Sequence, residues 1–301
     1  MPSTPRVPLE KLAEYPGMTN WFGVDLLAKL VGRVVLSDWF GQYADRRLIV
    51  AALDNGTKED QQQLAKQFMP GYIDPPGDIS FIPDHDGNVW IDFVADLGDG
   101  FDATYAIASL LARETLVVDG HETKRGQLLL MGGDEVYPLA SPDNYQRRLR
   151  DPYAWAFPDP YPARDDKRGV PVYAIPGNHD WYDGLQVFQA LFCRKSESLH
   201  LGGWRTFQHR SYFALQLTSD WWVWAMDAQL DDDVDQPQKE YFLNIAEAMG
   251  PSAKVILIGP EPGWLYLKDG KSKSLDILSY VGLLGCNHCK DLSIPLVLNL
   301  Q

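Results

Sequence analysis

The chain has 301 residues, 45% of them hydrophobic and 23% charged, close to the globular average, which excludes wholesale disorder and fibrous architecture and allows a sizeable core. It carries 27 Lys and Arg against 41 Asp and Glu, a formal net charge of −14. Such a field repels a polyanionic backbone, so nucleic acid is not expected as the main partner. Three cysteines, Cys193, Cys286 and Cys289, are an odd number in a long chain and point to a reducing compartment, the cytoplasm.

Residues 1–75 read mainly as a helical N-terminal segment, with a turn at Asn55-Gly56. Within it, residues 22–36 place Asp25, Lys29 and Arg33 four apart on one polar stripe, opposite Leu26, Leu27, Leu30, Val31, Val34 and Val35. The stretch is too short and too charged to span a bilayer. A buried amphipathic helix is the expectation, and peripheral membrane contact is its alternative.

From about residue 88 the pattern changes to short apolar runs alternating with amphipathic helices, the order of an α/β layered fold. Strands are expected at 89–95, 128–131, 170–175, 212–217, 221–226 and 254–258. Helices are expected near 103–113, with Asp102 as its N-cap, and near 142–150, 184–194 and 236–249. Residues 153–168, rich in Pro, Asp and Tyr, read as a surface loop. The run Trp221-Trp222-Val223-Trp224 reads as sheet packing. The domain expectation is a helical segment 1–75, an α/β domain 76–268, and an atypical or truncated tail 269–301.

Three of these strands lead into acidic, glycine-bearing loops: Asp96-Leu97-Gly98-Asp99-Gly100, Gly132-Gly133-Asp134-Glu135, and Pro176-Gly177-Asn178-His179-Asp180. In α/β sheets the loops at the carboxyl ends of strands line the ligand crevice. Converging carboxylates repel one another unless cations neutralise them, so the physical reading is a metal site.

Gly133-Asp134 and Gly177-Asn178-His179-Asp180, in this order and 44 residues apart from Asp134 to Asn178, resemble the motif blocks of the calcineurin-like metallophosphoesterases. The blocks are also similar to a bacterial branch carrying D-x-G-D-G-F-D, G-G-D-x-V-Y-P and G-N-H-D-W-Y-D-G. The resemblance implies a layered sandwich of two facing mixed sheets flanked by helices, and hydrolysis of a phosphate ester by a hydroxide bridging two divalent ions. It implies Asp96 on the first metal, Asp134 bridging both, and Asn178 on the second. His179 would stand beside the departing oxygen as general acid or charge stabiliser, with Asp180 fixing its tautomer.

The chain departs from that pattern at three places. Gly98 stands where the first block has His, with Asp99 near enough to substitute. Gly259-Pro260-Glu261-Pro262 stands where a later His is usual, which makes Glu261 an oxygen substitute. The final G-H-x-H block is absent, and Gly285-Cys286-Asn287-His288 keeps only its skeleton, offering His288. An oxygen-rich ligand set favours Mn²⁺ or Mg²⁺ over Zn²⁺, with Fe an option. The expected substrate is a small phosphate ester. The alternative is a degenerate relative that keeps the fold as a binding or regulatory module.

Overall fold

The computed structural model describes residues 9–41, 84–158, 169–193, 200–218, 220–228, 234–250, 252–260 and 293–299. The chain divides into two units, one drawn from residues 1–45 and 83–209, the other from 46–82 and 210–301.

In the first unit α1 (Leu9–Leu12) leads into α2 (Val24–Gly41). Then come β1 (Asp92–Val94), α3 (Phe101–Leu111), a hairpin of β2 (Thr115–Val118) and β3 (His121–Lys124), and β4 (Leu129–Met131). A helical stretch follows: α4 (Pro142–Asn144), a π-helical turn (Tyr145–Arg150) and α5 (Asp151–Ala156). Next are β5 (Val170–Ala174), α6 (Asn178–Trp181), α7 (Gln186–Phe192), β6 (His200–Leu201) and β7 (Trp204–Thr206). The sheet order is β1-β4-β5-β7-β6; the first four strands run parallel and β6 is antiparallel.

Leu129, Leu130 and Met131 are all buried, as a central parallel strand covered on both faces requires. The core gathers Leu129, Met131, Val172 and Ala174 from the strands with Leu149, Tyr153, Phe188 and Trp204. Helix α7 contributes Phe188, Leu191 and Phe192, spaced to share one face. Trp204 is fully buried, with Tyr153 and Phe157 edge-on at 5.1 and 4.9 Å. Its truncation to Ala would cost about 3–5 kcal/mol.

Residues 13–23 are woven into this unit. The Phe101 N–H donates to Pro16 O at 3.0 Å, the Tyr15 hydroxyl donates to Asp151 at 3.0 Å, and Arg147 donates to Glu14 O. On the described part of the apolar stripe of α2 the burial is only partial: Leu26 and Leu30 are half-buried, while Leu27 is 47% and Val31 64% exposed. Periodicity identifies a stripe; a tertiary partner must still cover it.

In the second unit β8 (Phe213–Gln216), β9 (Trp221–Ala225), α8 (Gln236–Ala248), β10 (Lys254–Gly259) and β11 (Ser293–Asn299) form a sheet of order β11-β10-β9-β8 with one helix. The pair β8–β9 is antiparallel and the other two pairs are parallel. Trp222 and Trp224 point to one face of β9 and join Tyr241, Phe242 and Ile245 of α8 in the core. Asp235 caps α8 by accepting the Gln238 N–H at 2.9 Å. The buried Gln238 amide closes both backbone groups of Asp227, at 2.9 and 2.8 Å.

The expected mixed α/β class is therefore met, with a mixed sheet in each unit. Three local readings are corrected. Residues 153–156 are helical, and Tyr153 is buried rather than in a surface loop. Helix α3 starts at Phe101 on an N-cap Gly100, so Asp102 sits in its first turn. The β2–β3 hairpin was not anticipated, although Asp119-Gly120, both at positive φ, is a hairpin-turn dipeptide.

Candidate active site

The parallel neighbours β1, β4 and β5 end side by side, so their three acidic loops meet at one sheet edge. The loops are stitched together: the Gly132 N–H donates to Val94 O at 2.8 Å, Asp96 N–H to Gly133 O at 3.0 Å, and Ile175 N–H to Met131 O at 3.0 Å. Asp96 and Asp134 both lie at φ 53°, a left-handed conformation that costs a side-chain-bearing residue free energy and clusters at functional sites. At Gly177 an added Cβ would stand 2.2 Å from Asp134 Oδ1. Only glycine lets the third loop approach the carboxylate this closely.

Asp134 is buried, Asp96 exposed. The Tyr137 hydroxyl lies 2.6 Å from Asp96 Oδ1 and 2.9 Å from Asp134 Oδ2, so one phenol bridges both carboxylates. Burial, then the Asp134 charge and the bonds to both aspartates, push the Tyr137 pKa far up. Burial also raises that of Asp134, against the opposing effect of His179. Among the described residues no Lys or Arg forms an ion pair with either aspartate.

Asn178 sets its amide against Asp134. With the nitrogen turned inward it donates to Oδ2 at 3.0 Å and Oδ1 at 3.2 Å, and its oxygen accepts from the Tyr182 hydroxyl at 3.3 Å. A cation on the carboxylate would favour the reverse orientation, with the amide oxygen inward. The backbone N–H of His179 donates to Asp134 Oδ1 at 2.9 Å. Its ring is packed among Tyr137, Tyr182 and Trp21, at centroid distances of 4.5, 4.9 and 5.7 Å.

The partner that fixes the His179 tautomer is not Asp180. His179 Nδ1 lies 2.7 Å from Pro138 O; a carbonyl only accepts, so Nδ1 carries the proton and Nε2 is left for chemistry. Asp180 instead holds the loop. It accepts from Gly177 N at 2.9 Å, Glu135 N at 3.2 Å and the Tyr145 hydroxyl at 2.5 Å. Burial, then the Asp134 charge, raises its pKa to about 7. Glu135 beside it is fully buried, its oxygens have no hydrogen-bond partner among the described residues, and burial raises its pKa well above the usual range.

Asp99, expected as a substitute ligand, is engaged elsewhere. It accepts from Thr19 N at 2.8 Å and Trp21 Nε1 at 3.0 Å. Burial pushes its pKa up, but these bonds and the Arg148 charge outweigh it and hold the pKa below the usual value. Nor can position 98 supply a side chain: at φ 74°, a Cβ there would lie 2.3 Å from Glu135 O.

Glu261 and His288, with Cys286 and Cys289, lie outside the described residues. Among the described residues no three His, Cys, Asp or Glu side chains gather as a metal cage. What converges is an all-oxygen set of two carboxylates, a phenol and an amide that can turn its oxygen inward. That set and its uncompensated negative charge fit a hard divalent cation. Tyr137 was the site residue missed in the sequence; its position three residues after Asp134, beyond a Gly-Asp turn, is the signal that could have found it.

Comparison with curated proteins finds no match. A family model does match residues 89–279, more than half of the chain, including all three acidic loops. With that match and this geometry, the chain belongs to the calcineurin-like phosphoesterases, a divalent-metal-dependent family that hydrolyses phosphoesters.

Proposed function

We propose that this chain is itself a working hydrolase, cleaving a small phosphate ester with two divalent cations held at the β1, β4 and β5 loop edge. The observation that carries this reading is the pair of carboxylates, Asp96 and Asp134, drawn to within 2.6 and 2.9 Å of one hydroxyl without a cationic side chain among the described residues. Asp96, Asp134 and Asn178 are the metal-holding residues, with the Tyr137 hydroxyl as a further oxygen. Glu261 and His288 are the candidates to complete the set. Mn²⁺ or Mg²⁺ suits these oxygens better than Zn²⁺. When bound, the cations acidify a water and polarise the phosphoryl group.

The chain's own residues do the rest. His179, its Nδ1–H fixed by Pro138 O, presents Nε2 toward the departing oxygen, and as the imidazolium, with a proton on each nitrogen, it gives the Nε2 proton to that oxygen and is left neutral. Tyr137, Tyr182 and Trp21 pack against its ring and hold it in place. Asp180 acts through the loop, holding Gly177 and Glu135 so that the His179 N–H stays on Asp134. The odd cysteine count favours a reducing, cytoplasmic setting; among the described residues no helix is long and apolar enough to cross a membrane.

The test is hydrolysis of aryl phosphate mono- and diesters by metal-stripped protein before and after Mn²⁺, Mg²⁺ or Zn²⁺ is added. Activity restored best by Mn²⁺ or Mg²⁺ supports the reading. Turnover without added metal, or none with any metal, contradicts it, and the second outcome favours the binding-module alternative.

A further inference from the structure

Residues 13–23 precede the matched stretch 89–279, yet they reach the strand-end site. Two bonds to one carboxylate fasten them there: Asp99 accepts the Thr19 N–H at 2.8 Å and the Trp21 Nε1–H at 3.0 Å. The charge on Asp99 makes both bonds stronger than neutral ones. Further back, Pro16 O accepts the Phe101 N–H at 3.0 Å and the Tyr15 hydroxyl donates to Asp151 at 3.0 Å, so the segment is anchored before the indole as well as at it. Held in this way, the half-buried Trp21 ring stands edge-on to two rings of the site, His179 at 5.7 Å and Tyr137 at 5.4 Å, each at 78°.

The two neighbours differ in what else holds them. The Tyr137 hydroxyl is fixed by Asp96 and Asp134, at 2.6 and 2.9 Å, and does not depend on the indole. Among the described residues the His179 ring has one hydrogen bond, from Nδ1 to Pro138 O at 2.7 Å. A single bond at one end of an imidazole leaves the ring free to swing about it, and Nε2, across the ring, is displaced by that swing. Contact with neighbouring rings is what opposes it. Tyr137 and Tyr182 supply two such contacts, at 4.5 and 4.9 Å, and Trp21 supplies the third.

We infer that Trp21, set in place by Asp99, is a positioning residue for His179 and aims its Nε2 at the departing oxygen. The inference rests on the phosphoesterase reading, in which Nε2 gives a proton to that oxygen, and deepens it: a segment outside the family match takes part in the reaction. Asp99 thereby acts on the proton donor, through the indole, and not on a metal. Protonation counts in proportion to the basicity of the leaving oxygen. A nitrophenolate departs unaided, whereas a phenolate needs help and an aliphatic alkoxide needs more. The substrates this arrangement suits are therefore phosphate esters of aliphatic alcohols.

The experiment measures release of the phenol from 4-nitrophenyl and phenyl phosphate, and from their methyl diesters, by the Mn²⁺-loaded protein. Wild type, Trp21→Leu, His179→Ala and the double variant are compared, with Mn²⁺ titration of each. In Trp21→Leu, kcat/KM is expected to fall about tenfold or more on the phenyl ester and less than about threefold on the nitrophenyl ester. Trp21→Leu is expected to bind Mn²⁺ as the wild type does, and to cost nothing further once His179 is Ala. Trp21→Phe, which keeps a ring but not the N–H to Asp99, is expected to fall between the two. An equal loss on both esters, no loss, a loss that persists without His179, or weaker Mn²⁺ binding by Trp21→Leu overturns this inference alone. Failure of the wild type to hydrolyse any of the four esters overturns the phosphoesterase reading and this inference with it.

Discussion

The hydroxyl of Tyr137 reaches back three residues to the carboxylate of Asp134, at 2.9 Å, while also standing 2.6 Å from Asp96. One phenol therefore sets the spacing of two carboxylates from different strand ends. Tyr137→Phe removes that tie. A lost partner of a ligating carboxylate costs about 10–100-fold in metal affinity, and Mn²⁺ titration of the two proteins is expected to show a loss in that range. Equal affinity would mean that the hydroxyl plays no part.

Gly98 is closed to any side chain by φ 74° and by Glu135 O at 2.3 Å from an added Cβ. Gly98→Ala is expected to cost about 2–4 kcal/mol in urea unfolding, from left-handed strain plus overpacking. For the same reason Gly98→His destabilises the fold instead of adding an imidazole ligand. A Gly98→His protein of wild-type stability with tighter metal binding would contradict this.

Asp99 ties residues 19–21 to the first acidic loop, and its folded pKa lies below the unfolded value of about 3.9. A depressed carboxylate pKa contributes stability that is present above the unfolded pKa and lost as pH falls through the folded one. Asp99→Asn lacks the charge at every pH. The gap in melting temperature between wild type and Asp99→Asn is therefore expected to be widest near pH 6 and to close toward pH 3. A gap independent of pH would show that the charge of Asp99 is not what holds the segment.

The strand-end logic was legible in the chain because it is local. Short apolar runs break at Gly-Asp and Gly-Asn, and β1, β4 and β5 end where those breaks fall. Contacts across long separations left no such mark. Nothing near Asp99 announces that Thr19 and Trp21, about 80 residues earlier, take its carboxylate. Asp180 follows His179 directly, which suggested a ring partner, but the helical turn of α6 sends its carboxylate to Gly177 and Glu135 and leaves the ring to Pro138. The partial exposure of the described stripe of α2, at Leu27 and Val31, has a different reason: an amphipathic pattern is the same whether the apolar side meets a core or solvent. The tail 269–301 read as atypical or truncated, yet residues 293–299 within it form β11, parallel to β10, where neighbouring strands decide the structure.

The most direct test of the central claim is the binding of Mn²⁺ to metal-stripped protein, wild type against Asp134→Asn, followed by titration of free Mn²⁺. The asparagine keeps an oxygen to accept the His179 N–H, so the loop geometry at 2.9 Å survives while the charge is lost. Stoichiometric Mn²⁺ on the wild type, and affinity weaker by at least about a hundredfold in Asp134→Asn, is the expected result. Equal binding by the two proteins, or none by the wild type, would contradict a metal centre at the ends of β1, β4 and β5.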